Sequence, residues 1–376
     1  MPRILFGVTV PMTALAFLQD QLTDLAQRGW DVHLVTSPDD GFDRLKLLPE
    51  VTIHALPMRR SPAPSHDALS LARWLGLLRR VRPDVVVAST PKAGLLGMVS
   101  ARLAGVSVRI YHLRGLRAES LAGTTRRVSL VSERTAIACS TDLLCDSPSL
   151  LRKIRSLDLA AADQGVVLGL GSCCGVDTNH FRPPSADERA QAREKLGVEP
   201  DQVVVGFLGR LVPDKGVSEL IDAVRLLRQR QPNAVLALVG PKEDEWLNIP
   251  TTETWLTATG PTSDPRAFYW AFDIFCLPSH REGFPISPLE AQACAVPTVS
   301  SLATGCVDST APHPLATPTR LGDAQSIADS LEPLTLSLDL RLEVGSMARQ
   351  WTERNFDQND VRRLVVEYLT ALATRG

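Results

Sequence analysis

The chain holds 376 residues, of which 44% are hydrophobic and 22% charged, with a net charge of −2. This composition excludes a disordered chain and leaves room for two domains of ordinary size. The seven cysteines are scattered, odd in number and without a Cys-x-x-Cys pair, which argues against a disulfide framework and for reduced thiols in a cytosolic protein.

From the start, short apolar runs alternate with amphipathic stretches. Ile4–Val8, Val32–Val35, Val51–Leu56, Val85–Ala88, Val108–Tyr111, Leu143–Cys145 and Val166–Leu168 read as strands, with helices over Met12–Arg28 and Leu69–Val81 between them. The first run is too short for a signal-peptide core, and no run of 18 apolar residues exists to span a bilayer. A second rhythm follows Phe181-Arg182-Pro183-Pro184. Its strands read as Val203–Leu208, Val235–Val239, Trp255–Thr257, Ile274–Leu277 and Thr298–Ser300, and its helices as Ser218–Gln231, Pro288–Ala295 and Ala324–Ser330. This is the βαβ pattern of two α/β units with mostly parallel sheets. The segment Gly171–Pro184 is the expected hinge, so the expected domains are 1–172 and 173–355, with a last helix at about 356–376 crossing back to the first. Charge is divided as well: residues 1–183 carry 22 Lys/Arg against 16 Asp/Glu, a net of +6, and the remainder a net of −8. Nucleic acid is not the expected partner, because no recognised binding motif accompanies the arginines.

Two constellations carry chemistry. In Gly209-Arg210-Leu211-Val212-Pro213-Asp214-Lys215-Gly216, a buried strand runs into a glycine turn with two cations five residues apart ahead of a helix. Such cations at a helix start can clamp a diphosphate; equally, they can be surface residues of a βα turn. In Arg281-Glu282-Gly283-Phe284-Pro285-Ile286-Ser287-Pro288-Leu289-Glu290, two glutamates stand eight apart across a strand end and a helix start. Carboxylates there suit vicinal sugar hydroxyls and the amides of Phe284–Ser287 suit phosphate, but Ser287-x-x-Glu290 also fits a capping box. No two aspartates are separated by a single residue and the histidines show no ligand spacing, so no metal is expected. His54 reads as an edge or packed histidine, and His280 as a cap of the strand end or a side chain that could reach the sugar.

Taken together, Gly209-Arg210…Lys215-Gly216, Glu282-Gly283-Phe284-Pro285…Leu289-Glu290, Ser89–Gly97, Arg109–Arg117, Ser172–Thr178 and Gly305–Asp308 resemble the family 4 retaining glycosyltransferases. Within that family they are similar to the subgroup that builds capsule and O-antigen glycans on polyprenyl diphosphate. The resemblance implies a GT-B fold, two Rossmann-like doubly wound domains with a cleft between them, and transfer of a sugar from a nucleotide diphosphate sugar, with no cofactor besides that co-substrate. It implies that Arg210 and Lys215 hold the donor diphosphate and that Glu290 binds the ribose. Glu282 and the backbone of Gly283, Phe284, Pro285, Ile286 and Ser287 would face the sugar and phosphates. Gly7 and the Val8–Thr13 loop, with Thr9, would lie near the phosphates and acceptor, with Gly209 in the donor turn and Pro241 and Gly260 placing the base. The family's His-Gly pair near the transferred sugar is replaced by Arg114-Gly115, with His112 two residues earlier, so either side chain is a candidate for that role.

The resulting expectation is a cytoplasmic, retaining hexosyltransferase-type enzyme using a UDP-sugar, peripheral on the inner face of the plasma membrane. Its rivals are a sugar-nucleotide 2-epimerase and a non-catalytic sugar-nucleotide binder. Membrane docking would use Arg59, Arg60, Arg73, Arg79 and Arg80, with Trp74, Leu75, Leu77 and Leu78 as the apolar side of an interfacial helix.

Overall fold

Runs of valine, leucine and isoleucine buried on both faces are what a parallel sheet covered by helices requires. The computed structural model, which describes residues 1–374 except 60, 62, 245, 246, 251, 315 and 316, contains two such sheets. They belong to two units, Met1–Cys174 with Val361–Gly376, and Gly175–Asp360.

The first unit holds β1 (Arg3–Gly7), β2 (Asp31–Thr36), β3 (Val51–Ala55), β4 (Val85–Ser89), β5 (Val108–Leu113) and β6 (Asp142–Cys145), paired in the order β3-β2-β1-β4-β5-β6 and parallel throughout. Alternation along β1 sends Ile4 and Phe6 into one layer and Leu5 into the other. The first layer takes Leu18, Leu22 and Leu25, together with Val365, Val366, Leu369 and Leu372 of the last helix, Gln358–Ala373. The second takes Trp74, Leu77 and Leu78 from the helix Pro64–Val81.

Three expectations change here. The helix expected over Met12–Arg28 is two helices, Pro11–Phe17 and Gln19–Gln27, broken at Leu18, whose φ of −121° is not helical. Leu18 is buried with Leu22 and Leu25, so packing overrides the single amphipathic repeat. Val166–Leu168 makes only one bridge, Leu144 to Val166, because Gly165 and Gly169 at positive φ bracket it too closely for a strand. The helix expected to lie in a membrane interface has spent its apolar side: Trp74, Leu77 and Leu78 are buried against the protein's own sheet. Its arginines 73, 79 and 80 remain exposed, as does Arg59, while Arg60 lies outside the described residues.

The second unit holds β7 (Val203–Leu208), β8 (Ala234–Val239), β9 (Leu256–Ala258), β10 (Ile274–Leu277) and β11 (Thr298–Ser300), in the order β11-β10-β7-β8-β9, again parallel. The third of these falls one residue beyond the expected Trp255–Thr257. Among the described residues no helix is long and apolar enough to cross a membrane.

Candidate active site

In an open parallel sheet, ligands bind outside the carboxyl ends of the strands where the winding direction reverses. The second sheet reverses between β7 and β10, and the first between β1 and β4. The exits of those four strands carry most of the residues singled out in the sequence.

Beyond β7, Lys215 closes a single 3-10 turn, Pro213–Lys215, and Gly216 at φ 69° caps the helix Val217–Leu227. Beyond β10, the loop from Pro278 to Gly283 lies against that turn. Lys215 Nζ donates to Glu282 Oε1, which also accepts from the Ser279 hydroxyl at 2.9 Å. Both partners use Oε1, and among the described residues Oε2 of Glu282 has no hydrogen-bond partner. Two further pairs fasten the loops: Arg281 Nη2 to Asp214 Oδ2 at 2.9 Å, and His280 Nε2 with Glu219 Oε1 at 2.9 Å. The amide of His280 also donates to the Asp214 carbonyl at 2.9 Å. His280 therefore ties its loop to the turn and helix that follow β7 rather than capping a strand, and Glu282 is a part-buried, partnered carboxylate rather than a solvated charge.

Glycine is required where the backbones touch. A Cβ on Gly216 would strike the Pro278 carbonyl oxygen, and one on Gly305 would lie 2.5 Å from the Gly283 carbonyl oxygen. Gly216→Ala is expected to cost roughly 2–4 kcal/mol, from the left-handed backbone and the clash together. Urea unfolding of the two proteins measures this; an unchanged midpoint would mean the loops separate freely.

Arg210 stands apart from this pair. Its Nη1 meets Glu243 Oε2 at 2.9 Å, and both side chains are about half exposed. Behind it, the Gly209 amide donates to Val239 O at 3.0 Å, Leu211 N to Pro241 O at 2.8 Å, and Gly240 N to Gly260 O at 2.8 Å. Gly209, Pro241 and Gly260 thus occupy the adjoining exits of β7, β8 and β9. Among the described residues the amides of Gly283, Phe284 and Ile286 have no protein acceptor. Phe284 is itself buried, its ring 5.2 Å from that of Phe356, which anchors the segment. Pro285 is buried beside it, while Ile286 and Ser287 are half-buried.

Glu290 does not form the capping box. The helix Ser287–Ala293 has Ile286 at its N-cap with no side-chain cap. Glu290 Oε2 instead accepts from the Tyr269 hydroxyl at 2.7 Å. Burial raises the Glu290 carboxyl to about pH 6, and the Tyr269 bond opposes that rise. The aromatic partner was missed in the sequence, where nothing links position 269 to position 290.

In the first unit, Gly7 is a packing glycine: a Cβ there would lie 2.5 Å from the Trp74 ring. Thr9 and Thr90, leaving β1 and β4, join hydroxyls at 2.7 Å, and Thr9 N donates to Thr90 Oγ1 at 3.1 Å. Near the carboxyl end of β5, His112 is buried with its Nε2 2.6 Å from Asp146 Oδ1. Burial lowers the pKa of His112, and Asp146 opposes that. Among the described residues the Arg114 guanidinium has no hydrogen-bond partner; its carbon stands 5.6 Å from the centre of the Phe17 ring. His54, on the edge strand β3, pairs with His33 at 2.9 Å.

Comparison with known proteins agrees with this organisation. Residues 188–351 match the family described as glycosyl transferases group 1, and residues 16–171 match the glycosyl transferase 4-like domain. The capsular polysaccharide biosynthesis glycosyltransferase CapM of Staphylococcus aureus is 32% identical over 359 residues, covering 94% of this chain and 93% of CapM. The UDP-Gal:alpha-D-GlcNAc-diphosphoundecaprenol alpha-1,3-galactosyltransferase of Escherichia coli is 31% identical over 249 residues, 62% of each protein. The crystal structure of Anabaena HepE in complex with UDP and glucose has a TM-score of 0.78 at 20% identity, over 99% of this chain and all of HepE, which is a likeness of fold. With a glycosyltransferase domain matched in each half and CapM aligned along nearly its whole length, the chain belongs to the group 1, family 4-like glycosyltransferases of GT-B fold.

Proposed function

We propose that this glycosyltransferase moves a hexose from a UDP-sugar to a hydroxyl of a polyprenyl diphosphate-linked glycan, with retention, in cell-surface polysaccharide synthesis. The observation that carries the reading is the Lys215–Glu282 pair, which sets an ammonium and a carboxylate together at the switch point of the second sheet, with Arg210 and Glu290 on adjoining exits. UDP as the donor nucleotide draws on the UDP complex of HepE and on the UDP-Gal named for the Escherichia coli relative; the lipid diphosphate acceptor also draws on that relative.

In the proposed step the bond between the anomeric carbon and the diphosphate oxygen breaks, and its electrons pass to the departing UDP. Lys215 and Arg210 stabilise the charge that develops there. The acceptor oxygen bonds the anomeric carbon on the face that UDP leaves, and its proton goes to a departing phosphate oxygen. Glu282, through Oε2, takes a donor hydroxyl while Oε1 keeps Lys215 in place. No metal takes part, since the two cations supply the positive charge.

Incubation with radiolabelled UDP-sugars and a short-chain prenyl diphosphate glycan tests the reading. A labelled lipid product with the donor's anomeric configuration is expected. Epimerised donor, or binding without turnover, would replace the transferase reading with one of its rivals.

The proposed setting is the cytoplasmic face of the plasma membrane. With the apolar side of Pro64–Val81 buried, docking rests on charge alone, through Arg59, Arg73, Arg79 and Arg80. Each contributes about 1 kcal/mol near an anionic surface, and salt screens it. Liposome co-sedimentation should show binding only with anionic lipid and only at low ionic strength. Indifference to lipid charge would point to a soluble acceptor.

A further inference from the structure

Arg114 directly follows β5 at the carboxyl end of the first sheet. Its Nε, Nη1 and Nη2 are all sealed from solvent and have no hydrogen-bond partner among the described residues. A guanidinium stays charged at any pH the fold survives. Sealing such a charge from water with its N–H groups unpaired is strongly unfavourable.

The surrounding groups do not offset that cost. Asp146 is the nearest carboxylate by register, since β5 and β6 pair Leu113 with Cys145 and so bring Arg114 and Asp146 out side by side. Its Oδ1, however, is held by His112. His112 is itself buried and presents no negative charge. The Phe17 ring supplies a weak cation–π contact at 5.6 Å, which takes up none of its N–H groups. On the neighbouring exit, Thr90 is tied to Thr9. The site is built around a cation whose nitrogens take no hydrogen bond among the described residues.

We propose that Arg114 binds an oxyanion of the substrate, a phosphate or a carboxylate, at a site separate from the donor-diphosphate contacts of Arg210 and Lys215. Both anions present two oxygens to the parallel N–H pairs of a guanidinium, a match that lysine cannot reproduce. The inference rests on the transferase reading above for the word substrate; the anion site itself stands on the unpartnered guanidinium.

The test uses the full chain as wild type, Arg114→Met and Arg114→Lys. Without ligand, Arg114→Met should melt no lower than wild type, because it removes an uncompensated buried charge at nearly constant length. A lower midpoint would assign the guanidinium a structural role and overturn the proposal. Calorimetry with UDP should give the same Kd for all three proteins. Two probes then identify the anion in wild type: inorganic diphosphate added over saturating UDP, and UDP-glucuronic acid compared with UDP-glucose. Further stabilisation by diphosphate assigns a phosphate. At least tenfold tighter binding of the uronate assigns a carboxylate. Arg114→Met should abolish whichever effect appears, and Arg114→Lys should restore it only in part. Neither effect in wild type, or an effect that survives in Arg114→Met, refutes the site. If UDP does not bind wild type at all, the donor reading fails first, and the diphosphate titration without UDP still decides for or against Arg114.

Discussion

Lys215→Ala is expected to lower the rate of sugar transfer by roughly 100–1,000-fold, the effect of removing one preorganised charge from a position where negative charge develops. The side chain is only 19% exposed and its Glu282 partner 14%, so the ammonium is held before any ligand arrives. Removing it also leaves Glu282 with the Ser279 hydroxyl alone, and stability should fall by about 1–3 kcal/mol. Arg210→Ala separates the two consequences. Its ion pair with Glu243 is exposed and worth little, so the melting temperature should not move. Turnover should still fall by roughly 10–150-fold, the loss of one charge-assisted contact in the transition state. Steady-state kinetics beside thermal melts of both variants are the measurement. Wild-type turnover in Arg210→Ala with a normal melt would remove Arg210 from the site. Wild-type turnover in Lys215→Ala would make the Lys215–Glu282 pair merely structural.

The two sheets were legible because their strands are uninterrupted apolar runs bounded by glycine, proline and polar turns, as at Val203–Leu208 and Ile274–Leu277. Helices were less so. Several whose hydrophobic and polar residues are not cleanly segregated, such as Gly123–Cys139 and Leu338–Phe356, gave no periodic signal. Pro11–Phe17 and Gln19–Gln27 gave too continuous a one, because the buried Leu18 that breaks them fits the same repeat. At the site, the sequence indicated which residues leave the strands and not which side chains they meet. Lys215 and Glu282 are 67 residues apart, and Thr9 and Thr90 are 81 apart. Those pairings follow from strand order, which places β10 beside β7 and β4 beside β1. Local spacing even misled: Ser287 and Glu290 have capping-box spacing, yet the glutamate turns to Tyr269, which only the packing of Arg266–Ala271 brings near. For Arg114 the substitution of arginine for the family's histidine was visible, but its lack of a hydrogen-bond partner among the described residues required the fold.

Glu290 offers the sharpest distinction between ligand and scaffold, because its stability and binding signatures run in opposite directions. Its carboxyl titrates at about 6 in the folded protein, above the ordinary 4.5, with burial as the cause. Below about pH 4.5 the group is neutral whether the chain is folded or not, and its ionisation carries no penalty. Between 4.5 and 6 the folded state binds more protons than the unfolded state, so stability falls as pH rises through that window. Above pH 6 the full cost of the buried carboxylate, about 2 kcal/mol, persists. Glu290→Gln keeps an oxygen for the Tyr269 hydroxyl and removes the charge. It should flatten that dependence and melt no lower than wild type at pH 7. If the carboxylate holds the ribose hydroxyls, the same substitution should weaken UDP-glucose binding by roughly 10–150-fold, the range of a lost charge-assisted pair. Wild-type affinity should rise from pH 5 to pH 7 as the group ionises, while the variant stays level. UDP-glucose is the right probe because its diphosphate is esterified at both ends and does not titrate in this range. Calorimetric titrations at several pH values, beside melts at the same values, decide between the roles. A variant that binds UDP-glucose as wild type does, at every pH, would leave Glu290 as a buried scaffold carboxylate and move ribose recognition elsewhere on the exits of the second sheet.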